Sequence, residues 1–183
     1  MKSTLLPISD TKKWRAIYTK SRTEKKVLDR LKQLGYEAFL PMKTELRQWS
    51  DRKKKVRIPL IKSYVFIKVS QKELSDVLGI PGVVAVLKYL GNPALIQDHE
   101  IEYLKIACNG NDVHVVHQNL DLSKGTLVRV VKGAFQGMFA TFLEERGKHR
   151  VLLHINALNQ SIELTVPRNH LEVCQSETKA LAT

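Results

Sequence analysis

The sequence predicts an α+β domain, an antiparallel sheet backed by helices, followed by a small β-barrel. Three observations predict it. Residues 1–107 alternate strand-like runs with three stretches of helical periodicity, residues 122–174 hold only short β-branched runs broken by glycines and polar turns, and a polar stretch, 108–121, separates the two. The tail, 175–183, is expected to be disordered.

In the first domain, Trp14–Tyr18 is aromatic and β-branched and suits a strand. Ser21-Arg-Thr-Glu24 has the spacing of a capping box, with Thr23 as a second candidate cap. Val27, Leu28, Leu31 and Leu34 then recur at helical spacing, and Gly35 stands where that helix would end. Tyr36–Leu40 reads as a second strand, stopped by Pro41, and Leu46–Leu60 as two extended arms around Ser50-Asp-Arg-Lys. Tyr64–Val69 is the clearest strand of the chain. A short helix over Lys72–Leu78 is broken by Ile80-Pro-Gly, and Val83–Leu87 is a further strand. Asp98–Ile106 closes the domain as a helix, with Asp98 as N-cap and Ile101, Tyr103 and Leu104 turned inward. The helices are expected to pack on one face of the sheet.

Asn109-Gly-Asn-Asp112 opens the linker, and Val113–Val116 is a candidate short strand within it. Beyond it, Val151–Ile155, Ile162–Val166 and Leu171–Val173 read as strands, with turns at Glu144–Lys148 and near Asn159–Ser161. Short strands this closely spaced suit a barrel better than a sandwich.

Lys and Arg number 30 against 18 acidic residues, a formal charge of +12. Such an excess favours a polyanionic partner, nucleic acid first and an anionic membrane surface second. No apolar stretch approaches the ~20 residues that span a bilayer, and the amino terminus is too poor in apolar residues for a signal peptide. Two cysteines are too few for a disulfide framework. A cytoplasmic, monomeric protein without a membrane partner is expected.

Alternation along Tyr64–Val69 turns Val65, Ile67 and Val69 to the helices and leaves Tyr64, Phe66 and Lys68 on the other side, with Trp14, Ala16 and Tyr18 grouped likewise on the first strand. Such an aromatic face is either a partner surface or is covered by the second domain or by local loops. The run Arg52-Lys-Lys-Lys55 is either a solvated hairpin tip or a phosphate-binding arm, on which Trp49 would stack on a base or pack beneath the hairpin. Lys20, Arg22 and Lys26 surround the start of the first helix. His114 and His117 stand in His-x-x-His spacing near Cys108, but no second ligand pair follows, so no metal is expected. With no triad, paired-carboxylate or phosphate-loop motif, no cofactor and no catalysis are expected either.

Gly125 to Gly137 reads Gly-Thr-Leu-Val-Arg-Val-Val-Lys-Gly-Ala-Phe-Gln-Gly. Its Gly125, Val128, Val130, Gly133, Phe135 and Gly137 resemble the KOW motif of SH3-like barrels. Ahead of it, in order, stand Trp14-Arg-Ala-Ile-Tyr18, the helix after Arg22-Thr-Glu-Lys25, Phe39-Leu-Pro-Met42 and Tyr64-Val-Phe-Ile67. That order resembles the NusG/RfaH family of transcription elongation factors over roughly Trp14 to Val173. Leu46–Lys55 is most similar to the UpxY-type antiterminators of polysaccharide operons. One departure is Ile61-Lys-Ser63, where the family usually has Phe-Pro-Gly or Phe-Pro-Asn. The resemblance implies binding to the clamp helices of RNA polymerase through Tyr18, Ile61, Tyr64, Phe66 and Tyr89. It further implies contact with the non-template DNA strand through Lys20, Arg22 and Lys26. Trp49 and Arg52, Lys53, Lys54 and Lys55 are added as nucleic-acid contacts from their placement on the hairpin. The barrel would recruit the ribosome or termination factor Rho. A housekeeping elongation factor remains the alternative within the family, and a ribosome-associated RNA-binding KOW protein the alternative outside it.

Overall fold

The computed structural model describes residues 11–49, 51–109, 113–116, 126–145, 149–155 and 160–174. The chain divides into two compact units, Met1–Cys108 and Asn109–Thr183.

In the first unit, β1 (Lys13–Thr19), β2 (Glu37–Phe39), β5 (Tyr64–Val69) and β6 (Val83–Val86) form an antiparallel sheet in the order β2-β5-β1-β6. A separate ribbon pairs β3 (Met42–Gln48) with β4 (Lys53–Pro59), and a small hairpin pairs β7 (Lys88–Tyr89) with β8 (Asn92–Pro93). The helices are α1 (Glu24–Gln33), α2 (Leu74–Leu78) and α3 (Asp98–Asn109). Helix α1 ends as its sequence dictates. Gly35 takes φ +82, and the Tyr36 and Gly35 N–H groups reach back to the carbonyls of Leu31 and Lys32, each at 3.0 Å. This is the left-handed glycine cap that satisfies the last helical carbonyls.

Val65, Ile67 and Val69 join Ile17 in one core with Val27 and Leu31 of α1 and Leu74 and Val77 of α2. The expectation that all helices share that face is corrected by α3. Lys105 of α3 places its Nζ 5.9 Å from the Trp14 ring centre, and Asp98 meets Lys68 Nζ at 3.2 Å. Trp14 and Lys68 oppose each other on the face turned away from that core. Helix α3 therefore covers the second face, which explains why Trp14, Arg15, Ala16 and Ile17 are buried in succession. The physical reason is Trp14 and Phe66 themselves, whose apolar area is too large to leave wet.

Two expected helix caps also differ. Thr23 sits at the N-cap of α1 without a side-chain cap bond, its hydroxyl donating instead to the Lys20 carbonyl at 2.7 Å. Asp98 is a helical residue of α3 held by Lys68, while Glu100 accepts the Gln97 N–H at 2.8 Å, the cap bond falling one residue earlier.

The second unit is a six-stranded antiparallel sheet in the order β14-β10-β11-β12-β13-β9. Its strands are β9 (Val113–Val116), β10 (Thr126–Val130), β11 (Phe139–Glu145), β12 (His149–Ile155), β13 (Gln160–Thr165) and β14 (Leu171–Val173). Strand β9, inside the stretch read as linker, pairs with β13. Val128, Val130, Met138, Ala140, Val151, Ile162 and Leu164 are buried. Gly133 and Gly137 take φ +83 and +89, as the turn between β10 and β11 requires. Gly125 and the tail 175–183 lie outside the described residues.

Candidate polymerase and nucleic-acid interface

Three cross-strand rows run over the second face of the first sheet. Trp14–Lys68 lies against α3, Ala16–Phe66 is the next row and fully buried, and Tyr64, Tyr18 and Ala85 form the third, across β5, β1 and β6. Tyr18 is 43 % exposed and meets Tyr64 edge-on, ring centres 5.4 Å apart. Half-burial, followed by the neighbouring Tyr18, raises the Tyr64 phenol above its ordinary pKa, so it stays a neutral hydrogen-bond donor. Tyr89 is 62 % exposed on the β7–β8 hairpin, next to Leu90, which is also exposed.

Of the five residues expected to dock, Tyr18 and Tyr89 are exposed and Tyr64 is half-buried. Phe66 and Ile61 are fully buried, which corrects the expectation that they face a partner. Phe66 has the direction read for it but has no exposed surface, and Phe39 packs 6.3 Å from its ring centre. Ile61 turns inward with Leu60 just ahead of β5.

The expected cations fall into two groups. At the α1 start, Arg22 and Lys26 line an open groove of ≈ 820 Å³ with Lys25, Arg47, Arg57 and Lys62. Lys20 is exposed nearby in sequence but does not line that groove. Arg52, Lys53, Lys54 and Lys55 are exposed on the β3–β4 ribbon. Its turn is closed by the Trp49 N–H donating to the Arg52 carbonyl at 2.8 Å. Trp49 is 52 % exposed with Lys54 Nζ 5.8 Å from its ring centre, so the indole is held by a cation–π contact rather than packed beneath the ribbon. Register sets Arg47 directly opposite Lys54, a like-charge pair that costs stability unless an anion intervenes.

Sequence reading missed Lys25, Arg47, Arg57 and Lys62 as groove residues. Lys25 bridges the two parts of the groove wall, donating to the Arg57 carbonyl at 3.0 Å. The available signal was the alternation of cations beyond Lys55, but the ribbon must fold back towards α1 before Arg57 and Lys25 become neighbours. The groove's one carboxylate, Glu24, is buried and already bonded to the Ser63 N–H. The groove is therefore a strongly cationic surface, lined by six cations and one buried carboxylate. Among the described residues no cluster of His, Cys, Asp and Glu is arranged to hold a metal ion, and no helix is long and apolar enough to cross a membrane.

An antiparallel sheet with helices on both faces and a cationic β-ribbon beside it defines an α+β domain. Residues 12–105 match the family model described as "NusG: Transcription termination factor nusG", and the chain belongs to the NusG family of transcription factors. The structure is similar to that reported as "Domain interaction in Thermotoga maritima NusG", with a TM-score of 0.51 and 19 % identity, covering 88 % of this chain and 96 % of that one. It also resembles the MjSpt4:Spt5 complex in conformation A at 18 % identity, covering 88 % of this chain and 97 % of that one, at a TM-score of 0.30 that is too low to argue from.

Proposed function

We propose that this protein is a non-catalytic transcription elongation and antitermination factor that rides on RNA polymerase and suppresses pausing or termination. The observation that carries the reading is the solvent-reaching Tyr18–Tyr64 row, at the bare end of a sheet face that α3 otherwise covers. Two tyrosines held edge-on present rigid apolar area with polar tips, the composition of a protein-docking hot spot. The family resemblance makes the clamp helices of the polymerase the partner surface, with Tyr89 as a further contact. On the cationic side, Arg22, Lys26 and the ribbon Arg52–Lys55 hold the non-template DNA strand. Bridging both partners favours the elongating conformation by binding it more tightly than the paused one.

The six-stranded carboxy-terminal sheet is read as a KOW-type SH3-like barrel that recruits the ribosome or Rho, supported by the paired left-handed Gly133 and Gly137. The likeness of Leu46–Lys55 to UpxY-type proteins makes the factor operon-specific, serving polysaccharide biosynthesis. Purified polymerase tests the reading. Y18A/Y64A should lose co-purification, each truncation costing ~2 kcal/mol or more at a hot spot, and retained binding would overturn it. Deleting the gene should lower read-through in one operon only. A genome-wide change would return a housekeeping elongation factor instead.

A further inference from the structure

We infer that Glu24 is a positioning residue: its carboxylate pins the loop before β5 so that Lys62 and Arg22 present their charges to the same phosphate run in the groove. This rests on the nucleic-acid reading of that groove. An acidic residue in the first turn of a helix ordinarily serves its own N-terminus. Glu24 is instead 6 % exposed, and its Oε1 accepts the Ser63 N–H at 2.9 Å, across 39 residues of chain. The Ser63 carbonyl in turn accepts the Thr19 N–H at 2.8 Å, so the loop is held at both backbone polar groups of one residue.

Backbone strain marks the same place. Among the described residues three non-glycines adopt left-handed φ, and two of them, Arg22 and Ser63 at +62 each, lie beside Glu24. The third is Leu90. Such conformations persist only where the surroundings hold them, and they concentrate at ligand-binding positions. Of the two beside Glu24, one is a groove cation and the other immediately follows one: Arg22 itself, and Lys62 before Ser63. Ile61-Lys-Ser63 is the stretch where the chain departs from the usual Phe-Pro-Gly or Phe-Pro-Asn, in which a proline would stiffen the loop. A hydrogen bond from the Ser63 N–H to a buried carboxylate supplies that stiffness instead.

The test is salt-dependent binding of a labelled single-stranded DNA by the full chain, for wild type, E24A, E24Q, E24D, K62S and E24A/K62S. Gln keeps the acceptor and removes the charge. Ala removes both, so their difference isolates the hydrogen bond from the field of the carboxylate. K62S and E24A should each flatten the log–log salt slope by up to ~0.7, the worth of one neutralised single-strand phosphate. The double variant should be no flatter than either single one, and E24Q should keep the wild-type slope. Equal slopes for E24A and E24Q, or additive losses in the double variant, would overturn the inference whatever the variants' thermal stability. Should E24A fail to fold, E24D keeps the charge but falls one methylene short of Ser63. It should flatten the slope, and a wild-type slope there would overturn the inference equally. A wild type without salt-dependent binding would bring down the nucleic-acid reading itself, and this role with it.

Discussion

Phe66 and Tyr64 point the same way from β5, two residues apart, and differ in what lies over them. Phe66 has no exposed surface, whereas Tyr64 reaches the border of the covered area and rests against Tyr18. F66A should therefore act through folding, costing about 3–5 kcal/mol as a large core truncation does. Y64A should cost much less, roughly 1 kcal/mol for the broken aromatic pair, while abolishing the docking surface. Denaturant unfolding separates them, and an F66A chain as stable as wild type would mean that the face is bare. Glycines make a parallel contrast. Gly35 and Gly82 both take positive φ, but a Cβ on Gly35 meets nothing within 4 Å, whereas one on Gly82 would stand 2.8 Å from Val27 Cγ2. G35A should cost about 1 kcal/mol of backbone strain. G82A should cost more, because the clash falls on the core-facing side of α1.

At the scale of elements, the β3–β4 ribbon concentrates charge that its own pairing penalises. Arg47 faces Lys54 across the ribbon, and the nearby carboxylates are few: Glu45 reaches Arg47 at 3.4 Å and Asp51 reaches Arg52 at 3.8 Å, both exposed pairs worth little. A polyanion would relieve that repulsion. Replacing Arg52, Lys53, Lys54 and Lys55 by Ser should leave the fold intact and flatten the salt slope of nucleic-acid binding by up to ~0.7 for each phosphate no longer neutralised. A slope equal to that of wild type would make the run a solvated tip. The ribbon, like Tyr64–Val69 and the helix ending at Gly35, is legible in sequence because local periodicity and turn chemistry decide those elements. The packing of α3 is not. Periodicity says that Ile101 and Leu104 face inward but not which side of the sheet they cover, and that choice alone decides whether Phe66 is core or surface. The β7–β8 hairpin escapes for a related reason: two-residue strands carry too little alternation to register. Glu24 reads as half of a capping box because its long-range partner Ser63 is invisible to local spacing.

For the whole molecule, the division into units Met1–Cys108 and Asn109–Thr183 makes a separable division of labour testable. Each unit has its own apolar core, Ile17, Val27, Leu31, Val65 and Ile67 in the first and Val128, Val151, Ile162 and Leu164 in the second. Each should then fold alone. The Tyr18–Tyr64 row, the groove and the cationic ribbon all belong to the first unit. A fragment of residues Met1 to Cys108 should therefore keep polymerase binding and reduce pausing in a purified system, while losing in cells whatever depends on the carboxy-terminal partner. The fragment Asn109 to Thr183, which keeps β9 on the sheet, should not bind polymerase appreciably. It should also stay β throughout, since Val128-Arg-Val-Val131 and Ile162-Glu-Leu-Thr-Val166 are β-branched strand formers. The measurement is pausing by the full chain and by the Met1 to Cys108 fragment at matched concentrations on purified polymerase. Equal suppression is expected. Activity confined to the full chain would mean that the second unit takes part in the primary contact, and that the two surfaces of the first unit are not sufficient to hold the polymerase in its elongating state.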